Sequence, residues 1–340
     1  VTDTAHGAVV GDFVTFSGAA SLGANITADV LNQEYQIDLI VNNNSYNISA
    51  KVAGSLINET PTLVNAASGD SGNGGGSTVG KYQINIGLDT VVRASGWGAG
   101  TWSRGTWGSA STDAIITNTL RLWSHDNFGE DLLINARDGG IYYWSATLGL
   151  GNRAVDITSL STTGAIPSVA KQVMVSDRDR HIIAFGCDPE STPGVQDPLT
   201  IRFSSQESLT DWSATATNTA GELRLGSGSE IVAAVETRQQ ILVMTDTTLY
   251  AMQFLGPPFT FGVTAISENI TIAGPNAAIA VDDTVLWMGR SEFYIYSGTV
   301  QRLPCMVRDY VFSDINEDQL EKINVALNTE HSEDDHAPLM

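Results

Sequence analysis

The sequence predicts an all-β, β-propeller-like protein, and three observations carry that expectation. Gly, Ser, Thr and Asn are abundant while only 16% of residues are charged, a bias toward strands and turns and away from helices built on Lys, Glu and Arg. Apolar runs pair across polar turns in "DLLINARDGGIYYWSA", "QQILVMTDTTLYAMQF" and "DTVLWMGRSEFYIYSG", with "RHIIAFG" as a further run. These runs start near Leu132, Ile182, Ile241 and Val285, an interval of roughly 45–60 residues, near the ~40–50 of a four-stranded propeller blade. A β-sandwich, or a stack of sandwiches, is the alternative.

Residues 1–53 read as a small β-barrel module. "GDFVTFSGA" alternates at Phe13, Val14 and Phe16, and "EYQIDLIV" and "NSYNISAKV" form a hairpin across "NNN". His6 reads as a turn-stabilising side chain. Residues 54–80 read as a flexible linker, because "NAASGDSGNGGGSTVG" lacks apolar periodicity. Residues 81–330 carry the propeller-like repeats. Within them "GWGAGTWSRGTWG" spaces Trp97, Trp102 and Trp107 among glycines, which suits a structural loop whose indoles anchor on a β surface. A sugar-binding platform is the alternative for that loop. In "SDINEDQLEKINVALN", Ser313 as a cap and Leu320, Ile323 and Leu327 on one face predict one C-terminal helix. Residues 331–340 read as a disordered tail.

The 38 acids and 17 bases give a net charge of -21. Such a surface repels phosphates and anionic lipid, which argues against specific nucleic-acid binding and is compatible with a conduit that DNA passes without sticking. The turn acids Asp138, Asp246, Asp282 and Asp283 recur in the repeats and are the candidate channel-facing groups. No apolar run reaches the ~18 residues of a membrane-spanning helix, so no membrane insertion is expected. Cys187 and Cys305 read as free thiols, a single bridge being the alternative. The missing initiator Met suggests a fragment or a processed chain.

Chemical motifs are weak. "GGSTVGKY" at 75–82 has phosphate-loop spacing, but Tyr82 replaces the magnesium-binding hydroxyl and a strand follows. Ser71 in "GDSGNGG" lies too close in sequence to His6 for a two-barrel protease. The histidines are dispersed and no Cys pair has zinc spacing. Glu130, Asp131, Asp138, Glu207 and Asp211 could serve a glycosidase only if two met across a cleft. The expectation is therefore no enzyme, no cofactor and no metal site.

Two resemblances extend this reading. The N-terminal fifty or so residues are similar to the ubiquitin-activating-enzyme FCCH-like barrel, a module also seen in phage tail proteins. The segments "WSHDNFGEDLLINARDGGIYYW", "VMVSDRDRHIIAFG", "FSSQESLTDW", "LRLGSGSEIVAA", "LGPPFTFG" and "VLWMGRSEFYIYSG", with the Trp-rich stretch, together resemble the tail nozzle proteins of short-tailed bacteriophages, also called tail tubular protein B or tail stabilisation protein. That resemblance implies a virion tail subunit, assembled in the host cytoplasm as a homo-oligomeric ring, a hexamer by analogy. The ring would extend the portal and adaptor channel for genome retention and ejection, and would anchor a tail fibre or spike. It implies no catalytic residues. It also implies further strands beyond both ends, so the propeller is expected to lack blades. A carbohydrate-binding adhesin and a propeller glycosidase are the competing functions.

Overall fold

The computed structural model describes residues 1–4, 6–52, 62–85, 120–161, 165–256 and 259–327. The chain divides into two compact units, Val1–Gly87 and Leu88–Met340.

The first unit holds β1 (Phe13–Ser17), α1 (Ala28–Leu31), β2 (Glu34–Asn42), β3 (Ser45–Ile48) and β4 (Val79–Gln83), in the sheet order β3-β2-β1-β4. Period-two alternation puts Val14, Phe16, Tyr35 and Ile37 on one face, where they form a core with Tyr46. Tyr46 and Tyr82 belong to opposite edge strands, yet their rings lie 6.0 Å apart and their hydroxyls 2.9 Å apart. Edges of four flat strands would stand roughly 14 Å apart. The sheet is therefore curled into a barrel-like shape and closed by side chains rather than by backbone pairing. His6 is buried and stabilises its turn as expected: one ring nitrogen bonds the Asn42 carbonyl at 3.0 Å and the other accepts the Ala8 N–H at 3.2 Å.

The structure corrects the linker reading over 62–80 and the domain boundary at 81. β4 pairs with β1 from Phe13↔Gln83 to Ser17↔Val79, so it completes the first sheet. The Gly-rich run before it is tied down. Ala20 N–H donates to Gly74 O and Gly72 N–H to Leu22 O, each at 2.7 Å. The Asp70 carboxylate accepts four backbone N–H groups, from Ala67 (2.8 Å), Ala24 (2.6 Å), Ile26 (3.0 Å) and Asn25 (3.1 Å). Glycine serves close approach here rather than chain freedom. Gly23 has φ +142°, and a Cβ on it would lie 2.0 Å from Gly69 O.

These donors, the Ala67 N–H foremost, hold the Asp70 carboxyl below its ordinary range against some desolvation. A depressed folded pKa adds stability above the unfolded carboxylate range and loses it as pH falls through the folded value. Asp70→Asn is thus expected to lower the melting temperature of the first unit at neutral pH, with the difference vanishing in acid. Circular-dichroism melts across that range measure it.

Among its described residues the second unit is a succession of four four-stranded antiparallel meanders, each strand pairing with the next. Sheet I comprises β5 (Trp123–Phe128), β6 (Asp131–Ala136), β7 (Ile141–Trp144) and β8 (Val155–Asp156). Sheet II comprises β9 (Gln172–Val175), β10 (Ile182–Phe185), β11 (Thr200–Phe203) and β12 (Gly221–Arg224). Sheet III comprises β13 (Ile231–Glu236), β14 (Ile241–Thr245), β15 (Thr248–Gly256) and β16 (Thr260–Glu268). Sheet IV comprises β17 (Ala278–Val281), β18 (Thr284–Met288), β19 (Phe293–Tyr296) and β20 (Val300–Arg302). The starts predicted at Leu132, Ile182, Ile241 and Val285 fall in β6, β10, β14 and β18, the second strand of each sheet. The fold is all-β and propeller-like.

Successive sheets bury an apolar layer between them. Leu133, Ile141, Val173 and Ile182 join sheets I and II. Ile183, Ile201, Val243 and Met252 join II and III. Leu242, Leu249, Val285 and Trp287 join III and IV.

The predicted C-terminal helix is displaced. Helix α2 spans Arg308–Asp314, so Ser313 lies in its last turn, donating to Tyr310 O at 3.0 Å rather than capping a helix start. Glu317–Lys322 forms a 3-10 segment that buries Leu320. The bridge Asn276↔Asn324 and the bond from Val325 N–H to Asn276 O (3.0 Å) then draw the chain into extended form. A spacing of three between Leu320 and Ile323 serves a 3-10 turn as well as an α-helix.

Candidate functional site

The first strands of sheets I, II and III meet one another through polar side chains, which close backbone edges that would otherwise be exposed. Ser124 Oγ and Asp126 Oδ2 on β5 accept the N–H groups of Val173 (3.0 Å) and Val175 (2.8 Å) on β9. Gln172 on β9 pairs its amide with Ala234 on β13, donating to the carbonyl at 2.7 Å and accepting the N–H at 2.8 Å.

Where these first strands begin, two adjoining cavities of about 220 and 300 Å³ share Arg137, Lys171 and Pro275 in their walls. Arg137, from the β6–β7 turn, donates to Val232 O (3.1 Å) and Ile231 O (3.5 Å) on sheet III. Burial pulls its guanidinium down, opposed by Asp138, Glu230 and Glu321. Lys171 lies between Asp138 (3.1 Å) and Glu230 (2.9 Å), bridging sheets I, II and III. Glu321 Oε1 is buried without a hydrogen-bond partner. The charges mostly neutralise one another across sheets, so the cleft acts chemically as an ionic tie.

Of the residues singled out in the sequence, Trp97, Trp102 and Trp107 lie outside the described residues. The four acids do not share one place in the repeat. Asp138 and Asp246 occupy turns between second and third strands, whereas Asp282 and Asp283 occupy the turn between the first and second strands of sheet IV. Antiparallel connections alternate ends, so the two pairs sit at opposite ends of their sheets. Asp138 and Asp282 have φ of +57° and +55°, a conformation Asp tolerates. Each acid is engaged. Asp138 pairs with Lys171, and Asp282 with Arg238 at 2.5 Å. Asp283 accepts from Gln239 at 3.4 Å. Asp246 accepts the Ser229 hydroxyl (2.6 Å) and N–H (2.8 Å); burial works to raise its pKa, and these bonds outweigh it, leaving it lowered.

The other motifs resolve into structural roles. Asp131 accepts the Tyr143 hydroxyl and the Ala146 N–H, Asp211 accepts the Asn218 amide, and Glu207 pairs with Arg180. Lys81 and Tyr82 lie in strand β4, not at a helix start. Cys187 and Cys305 are free, and burial pushes the Cys187 thiol up to about 12. Sequence reasoning missed Arg137, Lys171 and Glu230, which have no local motif and meet only through the sheet stack.

A second surface is apolar. Cross-strand partners share a face, so the register places Ile134 with Tyr142, and Leu132 with Trp144, on the side of sheet I turned away from sheet II. On the far side of sheet IV, Ile279, Leu286 and Ile295 align. All are only partly buried. None belongs to the apolar layers between sheets among the described residues.

No protein-family model and no curated protein matches the chain. Among solved structures it is similar to the AfRom2 CNH domain, with TM-score 0.35 and 10% identity, covering 57% of this chain and 59% of that one. It is also similar to KlHsv2 with loop 6CD replaced by a Gly-Ser linker (TM-score 0.30, 9% identity, 52% and 48% covered). Hsv2 of Kluyvelomyces marxianus follows (TM-score 0.28, 7% identity, 51% and 46% covered). The chain thus spans about half the length of these structures. The likeness is too slight to carry more than itself, and the fold rests on the four meanders.

Proposed function

We propose that this chain is a structural subunit of a short-tailed phage tail, part of a nozzle ring that extends the portal and adaptor channel and anchors fibres. The observation that carries this reading is the placement of the resembling segments. "WSHDNFGEDLLINARDGGIYYW" spans β5–β7, "VMVSDRDRHIIAFG" covers β9–β10, "LRLGSGSEIVAA" runs from β12 into β13 and "VLWMGRSEFYIYSG" spans β18–β19, so the resembling segments run in order through the four described sheets of the second unit. The half-buried apolar far faces of sheets I and IV leave apolar area that an assembly contact could cover. The net charge of -21 suits a wall past which DNA moves without sticking.

Sedimentation velocity and negative-stain imaging of the purified protein test the reading. A discrete ring that leaves duplex DNA unretained at moderate salt is expected. A monomer at micromolar concentration, or one that binds glycans through exposed indoles, would overturn it in favour of the adhesin.

A further inference from the structure

The ends of the first strands opposite the ionic cleft gather acids from three sheets. Glu236 closes β13, and its Oε1 accepts the Asp177 N–H at 3.1 Å from the β9–β10 turn. Asp126 on β5 and Asp177 and Asp179 in that turn all act on Glu236 as like charges. Asp179 Oδ2 is buried without a hydrogen-bond partner, its nearest cation being Arg178 Nε at 4.0 Å.

The neighbouring cations are committed or remote. Arg178 is 72% exposed, Arg180 pairs with Glu207, and Arg238 pairs with Asp282. His181, buried beside Phe254 and Phe261, bonds Thr219 Oγ1 through Nε2, and burial lowers its pKa. The small cavity at this end is lined by the neutral polar Ser176, Thr237, Gln239 and Gln240 and by the apolar Ile241, Met252, Phe254 and Phe261, none of which supplies a positive charge. Among the described residues no ion pair reaches Glu236, and no group of three or more His, Cys, Asp or Glu could hold a metal ion.

We propose that Glu236 is a proton-operated latch: protonated, it holds the β9–β10 turn of sheet II on β13 of sheet III, and ionised, it loosens that turn. The neutral carboxyl accepts the Asp177 N–H without facing the three carboxylates as a fourth charge. Ionisation places that charge in a partly desolvated site, and the side chain swings toward water, releasing the turn. Desolvation foremost, then the like charges, push the Glu236 carboxyl up to about 7, against the Asp177 N–H that lowers it.

The folded state therefore holds a proton that the unfolded chain has released between the ordinary Glu value and about 7. Stability falls as pH rises through that window and levels off above it. The buried neutral His181 acts with the opposite sign, weakening the fold as pH drops, so the two are separable.

Urea unfolding at a series of pH values, with hydrogen exchange at the Asp177 amide, tests the latch. From mildly acidic to mildly alkaline pH the unfolding constant of the wild type should rise about tenfold or more, discounted from the full shift for solvent at the carboxyl. Protection at Asp177, corrected for intrinsic exchange, should fall in parallel. Glu236→Gln should keep the protection and remove that pH slope. Asp126→Asn, which retains an oxygen for the Val175 N–H, should move the midpoint to lower pH. An unchanged slope in Glu236→Gln would overturn the proposal. So would an unmoved midpoint in Asp126→Asn, should the first variant not fold. Stabilisation by calcium that chelator reverses would overturn it too, by making the cluster a cation site.

Discussion

Replacing Arg202 with alanine is expected to destabilise the second unit by about 3–5 kcal/mol, the scale for removing one partner of a buried charged network. Arg202 lies on β11 and is 1% exposed. Its guanidinium donates to the carbonyls of Asp188 (3.3 Å), Trp212 (3.4 Å) and Ala165, and stands 3.7 Å from Glu222. Truncation leaves three carbonyls without that donor and a void beside Trp212, itself 1% exposed. Glu222 has 36% of its side chain in solvent, so water replaces what it gives, and Glu222→Gln is expected to cost about 1 kcal/mol or less. Urea unfolding of the two variants measures the contrast. Equal losses would show that the ion pair, not the carbonyl network, holds this arginine.

The same contrast between long-range and local interactions explains what the sequence disclosed. The second strands were legible because they are apolar and buried, Ile182–Phe185 and Ile241–Thr245 at every position, and in sheets I, III and IV a short polar turn joins each to its third strand. The first strand of sheet I was not legible. Trp123–Phe128 alternates exposed and half-buried positions, and its Ser124 and Asp126 are residue types common in turns, although here they bond the next sheet's backbone. The Gly-rich run was misread because composition does not distinguish glycine needed for freedom from glycine needed for close approach. Asp70 decides the matter through donors 44 to 46 positions away, beyond any local window. The ionic cleft was half legible. Asp138 and Asp246 stood out as turn acids, whereas Lys171 and Glu230 just precede strands and acquire partners only when three sheets stack.

In the proposed ring, Ile134→Asp and Ile295→Asp are each expected to weaken self-association more than a hundredfold, since every ~1.4 kcal/mol is a factor of ten and an unpaired carboxylate in an apolar contact costs several times that. Ile134 lies on the far face of sheet I and Ile295 on the far face of sheet IV. Both are partly buried in the single chain, so thermal melts of each variant separate a loss of fold from a loss of association. The two faces are different surfaces, the outer sides of the first and last of the four described sheets. A ring then arises when sheet IV of one copy meets sheet I of the next, a heterologous contact that closes if the rotation per subunit permits. That geometry makes a sharper forecast for a mixture. The Ile134→Asp chain keeps an intact sheet IV face, and the Ile295→Asp chain keeps an intact sheet I face. Mixed in equal amounts, they should form one-to-one heterodimers and nothing larger, because each pair uses up both intact faces. Sedimentation of each variant alone and of the mixture reads this directly. If a twofold contact between identical faces drove assembly instead, one of the single variants would still self-associate and mixing would add nothing.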